Sequence, residues 1–292
     1  NIFGNNITRE EVIRNNLIID EGDAFNELLQ AKTLNNIKAL NFFSDVKLDV
    51  FDSLDNNKKT INITVIEKPT GEIMAGAGVG TNGGTVAFGV KENNFLGRGI
   101  EFASDLTFSE KGLKGIVSLN NPNFKGSNRS LNASLESTTS DNLTDFGYKS
   151  NKTGFSIGSG FEFYDDLYWN RGISAYVEKL DTDSTASANM KKQDGSYFDT
   201  FFNQTFNYDK RNQKYKTSDG FFSRFTQKIP IISESNTLTN SYDYKIYNQW
   251  LDENIFTFGF FAKATNALGN NDVKLSDRLY LPSSKLRGFE AG

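Results

Sequence analysis

From Glu72 onward the chain drops helical periodicity and alternates apolar with polar residues, segment after segment. Between Arg98 and Ser109 the even positions hold Ile100, Phe102, Leu106 and Phe108, while the odd ones hold Glu101, Ala103, Asp105, Thr107 and Ser109. A strand turns successive side chains to opposite faces, so this segment reads as a ribbon with one greasy and one wet side. Phe155, Ile157, Phe161 and Phe163 repeat the arrangement, as do Phe256, Phe258 and Phe260. Further candidate strands cover 72 to 80, 84 to 91, 112 to 120, 128 to 138, 168 to 180, 196 to 208, 217 to 228 and 238 to 250, eleven in all. Each is on the order of 10 residues, which suits a tilted strand crossing a membrane.

Two architectures share this pattern. A soluble β-sandwich turns the apolar faces toward a common core, whereas an outer-membrane barrel turns them toward lipid and keeps the polar faces around a wet lumen. The connections favour the barrel. Thr81-Asn82-Gly83-Gly84 and Glu110-Lys111-Gly112 are short turns, against long polar stretches from Asp181 to Ser196 and from Asn266 to Leu286. Mean hydropathy is −0.50, and the chain has no apolar run of the roughly 18 or more residues that a membrane helix requires. Phe 26 and Tyr 11 against Trp 2, with Gly 25 and Pro 4, fit a sheet-rich chain in which Gly serves bends.

The absence of Cys and His removes thiol and imidazole chemistry, soft-metal sites and the common catalytic triads. A net charge of −4 of mixed sign argues against a nucleic-acid partner. No enzyme activity and no cofactor is expected. Gly78-Val79-Gly80-Thr81-Asn82-Gly83 has dinucleotide-loop spacing, but Thr85-Val86-Ala87-Phe88 after it reads as strand where a helix is required. Asp181-Thr182-Asp183 opens like a calcium loop and then places Ala186 and Lys192 where Gly and Glu are needed.

Before Glu67-Lys68-Pro69-Thr70-Gly71 the regime differs. Thr8-Arg9-Glu10-Glu11 has capping-box spacing and predicts a short helix to about Asn15. Phe25, Leu28, Leu29, Leu34, Ile37 and Leu40 recur at three- and four-residue steps and predict a second helix from Asp23 to Leu40. Val46, Leu48 and Val50, then Ile61, Ile63 and Val65, alternate as two strands. With a short strand at Ile2 and Phe3 the order is βααββ. Asn1-Ile2-Phe3-Gly4 looks like a strand end, so the chain reads as a fragment of a longer precursor.

The order of elements and motifs resembles the BamA family of outer-membrane-protein insertases. The βααββ module matches a POTRA domain, expected over 1–69. Asn94-Phe95-Leu96-Gly97-Arg98-Gly99, Asn121-Pro122-Asn123-Phe124, Tyr208-Asp209-Lys210, Thr217-Ser218-Asp219-Gly220 and Leu286-Arg287-Gly288-Phe289 follow in the family's order. Leu286 stands where the family pattern usually has Val. The fold class implied is mostly β: the α+β POTRA domain and then, over 70–292, about 11 of 16 strands of an antiparallel transmembrane barrel. The remaining strands are expected outside this chain.

The resemblance also implies the sites and partners. Arg287, Gly288 and Phe289 would form the tip of a lumen loop, and Asn94, Phe95, Leu96, Gly97 and Gly99 a barrel turn. Gly76, Gly78 and Gly80 would weaken a first strand that opens sideways; from the residues alone they could equally relieve crowding at a bend. The implied function is insertion of β-barrel proteins into the outer membrane, with a periplasmic POTRA domain. Unfolded barrel substrates, accessory lipoproteins and the lipid bilayer would be the partners. A two-partner secretion pore and a passive porin are the alternatives.

Overall fold

The computed structural model describes residues 1–19, 21–52, 58–80, 83–213, 216–251, 254–269 and 272–279. The first 67 residues form β1(Ile2–Phe3), α1(Glu10–Arg14), α2(Glu27–Ala39), β2(Phe43–Asp52) and β3(Lys59–Glu67). The sheet order is β1-β3-β2, with β1 parallel and β2 antiparallel to β3. Val12, Ile13 and Ile37 from the helices meet Phe42, Phe43, Val46, Ile63 and Val65, so the helical and strand periodicities converge on one core.

Both helix starts differ from the sequence expectation. Helix α2 begins at Glu27, because the Asn26 side chain caps it by accepting from the Leu28 and Leu29 amides. Helix α1 has Arg9 at its cap with no side-chain bond. The capping box is not formed, because the Thr8 hydroxyl is engaged by Asn94 of the second unit.

The rest is one antiparallel sheet in chain order: β4(Gly71–Gly80), β5(Gly83–Phe95), β6(Ile100–Ser109), β7(Gly112–Asn121), β8(Ser130–Asn142), β9(Tyr148–Tyr164), β10(Leu167–Thr182), β11(Gly195–Asp209), β12(Gly220–Ser233), β13(Thr237–Leu251) and β14(Asn254–Ala267). All eleven expected strands are present. The short helices α3(Leu143–Phe146) and α4(Ala188–Lys191) sit in external connections.

Register separates two faces. One carries Ile73, Phe88, Leu106, Val117, Leu135 and Phe155, all exposed. Phe256, Phe258 and Phe260 continue this face at 55%, 53% and 49% exposure, so no second layer covers them and the sandwich reading falls. The opposite face is joined by hydroxyl pairs such as Ser134 with Ser156 at 2.8 Å and Thr239 with Thr265 at 3.1 Å. One polar row interrupts the apolar face. Gln204 donates to Gln227 at 2.9 Å, and Gln227 donates to Asn240 at 2.7 Å, which satisfies groups that hydrocarbon cannot.

Candidate functional site

The turn between β5 and β6 is where the two units meet, and it is built from the Asn94 to Gly99 motif. Leu96, Gly97 and Gly99 take positive φ values of 55°, 68° and 63°, a compact reversal that glycine permits. Asn94 organises it from within: its side-chain oxygen accepts from the Gly99 amide at 2.7 Å. The same side chain donates to the Thr8 hydroxyl at 2.8 Å. The Arg9 amide donates to the Gly97 carbonyl at 2.8 Å, and Phe95 stacks on Phe102 with ring centroids 5.3 Å apart. A Cβ on Gly97 would lie 2.0 Å from the Ile7 carbonyl oxygen, so only a residue without a side chain lets these backbones approach.

Two further contacts brace this joint. Asn93 donates through its side chain to the Thr70 carbonyl at 3.1 Å, and the Glu92 carboxylate receives the Thr70 hydroxyl and the Asn94 amide. On the other side, the Glu67 carboxylate is enclosed by successive amides of Asn6, Ile7 and Thr8 at 3.0, 2.9 and 2.6 Å. Such a run of N–H groups is a ready anion nest. Burial pushes the Glu67 carboxyl upward, but the hydrogen bonds from Thr8, Ile7 and Asn6 outweigh it and hold it below the ordinary glutamate value.

A lowered folded value has a definite sign. The contribution of Glu67 is full above the unfolded value, roughly 4.3, and is lost as pH falls through the depressed folded value. Protection of the Asn6, Ile7 and Thr8 amides relative to their intrinsic exchange should therefore fall on acidification, and in Glu67→Gln it should be low already at neutral pH with little further pH dependence. Equal protection of these amides in both proteins at neutral pH would contradict this.

The first strand of the sheet, β4, holds Gly76, Gly78 and Gly80 on the face opposite Ile73 and Val79. It pairs with β5 throughout, from Gly71 with Glu92 to Gly80 with Gly83. Among the described residues, a Cβ added at Gly76 or at Gly78 would meet no other group within 4 Å. Arg287, Gly288 and Phe289 lie outside the described residues.

The same connection, leaving β14, carries an anchor that sequence reasoning missed. The Lys274 ammonium lies 2.7 Å from Glu178, 2.9 Å from Asp199 and 3.8 Å from Asp277. Lys274 is 4% exposed, Glu178 1% and Asp199 2%. Next to it Leu275 is buried against Tyr148 and Leu180, and its amide donates to the Gln193 side chain at 2.9 Å. Asp277 accepts from Thr237 at 3.0 Å. The stem of this connection is thus seated on the polar face of β10, β11 and β13. No sequence signal ties Lys274 to carboxylates on strands so far back in the chain.

Comparison with known proteins places this architecture. An Omp85 superfamily domain model matches residues 94–292, and a POTRA model, described as a surface antigen variable number repeat, matches residues 1–68. The chain belongs to the Omp85 superfamily. Within it the chain is of BamA type. It is 22% identical over 304 residues to the outer membrane protein assembly factor BamA of Nitratidesulfovibrio vulgaris, covering 99% of this chain and 37% of that protein. It is 32% identical over 134 residues to BamA of Buchnera aphidicola, covering 44% of this chain and 21% of the relative. The Omp85 chain thus spans well under half the length of these relatives.

Among solved structures, BamA from Haemophilus ducreyi lacking POTRA domains 1-3 superposes with a TM-score of 0.80 at 19% identity, covering 94% of this chain and 56% of that one. CdiB from Escherichia coli gives 0.60 at 13% identity, covering 99% and 57%. An Omp85 barrel portion with an apolar exterior belongs to the outer membrane, and its POTRA module to the periplasmic side.

Proposed function

We propose that this chain, as a POTRA module over 1–69 and a barrel portion over 70–292, takes part in inserting and folding β-barrel proteins in the outer membrane. Strand β4 opens sideways to receive the incoming chain: an unfolded substrate pairs along the edge so exposed by β-augmentation. The observation that carries this reading is that Gly76 and Gly78 present no side chain to pack along β4, which leaves the strand weakly held. No fuel is needed, because each substrate strand satisfies its own backbone and buries its apolar face in lipid as it pairs. Accessory lipoproteins dock on the POTRA module, and the Asn94 turn keeps that module in register with β4. The names of the BamA relatives agree with this reading, and the weaker likeness to CdiB leaves a secretion pore as the second choice.

Depleting the full-length protein should halt assembly of unrelated barrels, which neither pore alternative requires. A sharper test replaces Gly76 and Gly78 with valine. The side chains have room, and strand propensity rises by about 1 kcal/mol per site. The stiffened strand should assemble a test barrel into liposomes about tenfold more slowly at unchanged protein stability or better. An unchanged assembly rate would remove β4 lability from the mechanism.

A further inference from the structure

At the periplasmic ends of β9 to β11 the outward face carries an aromatic cluster. Trp169 stacks on Phe206 at 5.8 Å with an interplanar angle of 2°, and meets Phe161 and Phe163 edge-on at 5.8 and 6.3 Å. Amphipathic rings at this depth are the usual boundary belt of a membrane barrel. Two features at the same place are not explained by a belt.

The first is a pair of guanidinium groups. Register pairs Arg171 with Ser159 and Gln204, and places it between Trp169 and Ile173 on the lipid side. Its guanidinium carbon is 4.6 Å from the Trp169 ring centroid and 5.0 Å from that of Phe161. Arg129, just ahead of β8, brings a second guanidinium to within 5.5 Å of the Phe161 centroid. Among the described residues neither arginine forms an ion pair. Two of the nearby periplasmic carboxylates are paired elsewhere: Asp166 with Lys210 at 2.6 Å and Asp209 with Arg211 at 2.7 Å. The second feature is the Trp169 indole N–H, which is out of solvent contact and has no hydrogen-bond acceptor among the described residues.

Two guanidinium groups without an ion pair among the described residues thus lie on the rings of one aromatic cluster. Directly above them along the strands, Phe155, Ile157, Ile173 and Val177 are exposed and apolar. We propose that Arg129, Arg171 and Trp169 form a binding site for the phosphate of an anionic phospholipid in the periplasmic leaflet. Guanidinium forks match phosphate oxygens, and their flat faces stay stacked on the rings while the edges donate. The acyl chains lie along the apolar strip above. A zwitterionic lipid fits less well, because its own cation would sit beside two arginines.

The test uses the full-length protein reconstituted in nanodiscs with equal amounts of phosphatidylglycerol and phosphatidylcholine, then transferred to detergent. Native mass spectrometry counts the phospholipid that remains bound. The wild-type protein should retain phosphatidylglycerol in preference to phosphatidylcholine, and Arg129→Gln/Arg171→Gln should lower that retention about tenfold or more. Equal retention of the two lipids by the wild type overturns the proposal without recourse to any variant, as does undiminished phosphatidylglycerol on a double variant that remains heat-modifiable. In a Trp250→Phe background, where Trp169 is the sole tryptophan of this chain, inorganic phosphate alone should leave the fluorescence unchanged. A saturable response to it would assign the site to a free anion and overturn the lipid assignment.

Discussion

Lys274→Met should unseat the connection after β14 at a cost of about 3 to 5 kcal/mol, the range for breaking a buried ion pair from one side. The ammonium it removes is the group that faces Glu178 and Asp199 together. Asp199 has other support: the Ser233 hydroxyl donates to it at 2.6 Å, and Ser235 donates through its amide at 3.1 Å and its hydroxyl at 3.0 Å. Among the described residues Glu178 has no partner beyond Lys274, so its buried charge would lose that support. The expected readout is rapid amide exchange and new protease cleavage at 272–279, with the strands still protected. Adding Glu178→Leu should recover more than half of the loss, because removing both partners is far cheaper than removing one. If Lys274→Met alone leaves exchange at Leu275 unchanged, the lysine does not seat the loop.

The second large effect lies at the joint. Gly97→Ala places a methyl group 2.0 Å from the Ile7 oxygen and 2.9 Å from its carbonyl carbon, both rigid backbone atoms, at a φ of 68°. The clash and the conformational strain together should cost about 3 kcal/mol or more. Yielding at the joint is the cheapest response, with loss of the Arg9–Gly97 and Thr8–Asn94 bonds. Because the chain contains no cysteine, spin labels at Lys47→Cys and Thr144→Cys report the distance between the two units without background. Gly97→Ala should broaden that distribution several-fold, whereas Leu96→Ala, at an exposed side chain, should leave it narrow. An unaltered distribution in Gly97→Ala would mean that the contact with Ile7 does not hold the units together.

Much of the fold is legible in the sequence because lipid imposes a strict period of two on one face of each strand. Legibility ends where that constraint ends. Strand β9 begins at Tyr148, although alternation is clear only from Phe155; Lys149, Ser150, Asn151 and Lys152 are polar on both faces and carry no pattern. The capping box at Thr8 fails for a related reason. Local spacing fixes what a hydroxyl could bond within its own helix, and the Asn94 side chain offers a competing partner far along the chain. The Asn94 turn motif is visible in the sequence, but its contact with Ile7, Thr8 and Arg9 is not. The resemblance draws attention to Arg287 as the expected tip of a lumen loop, whereas Lys274, in the same polar stretch, has carboxylate partners that only the register of β10 and β11 brings together.

The module at the start of the chain is fastened to the sheet twice. Covalent linkage runs through Lys68, Pro69 and Thr70 into β4, and the Ile7 to Arg9 segment rests on the Gly97 turn. A body pinned at two points can pivot only about the line between them. Any torque on the periplasmic unit is therefore delivered to the feet of β4, β5 and β6.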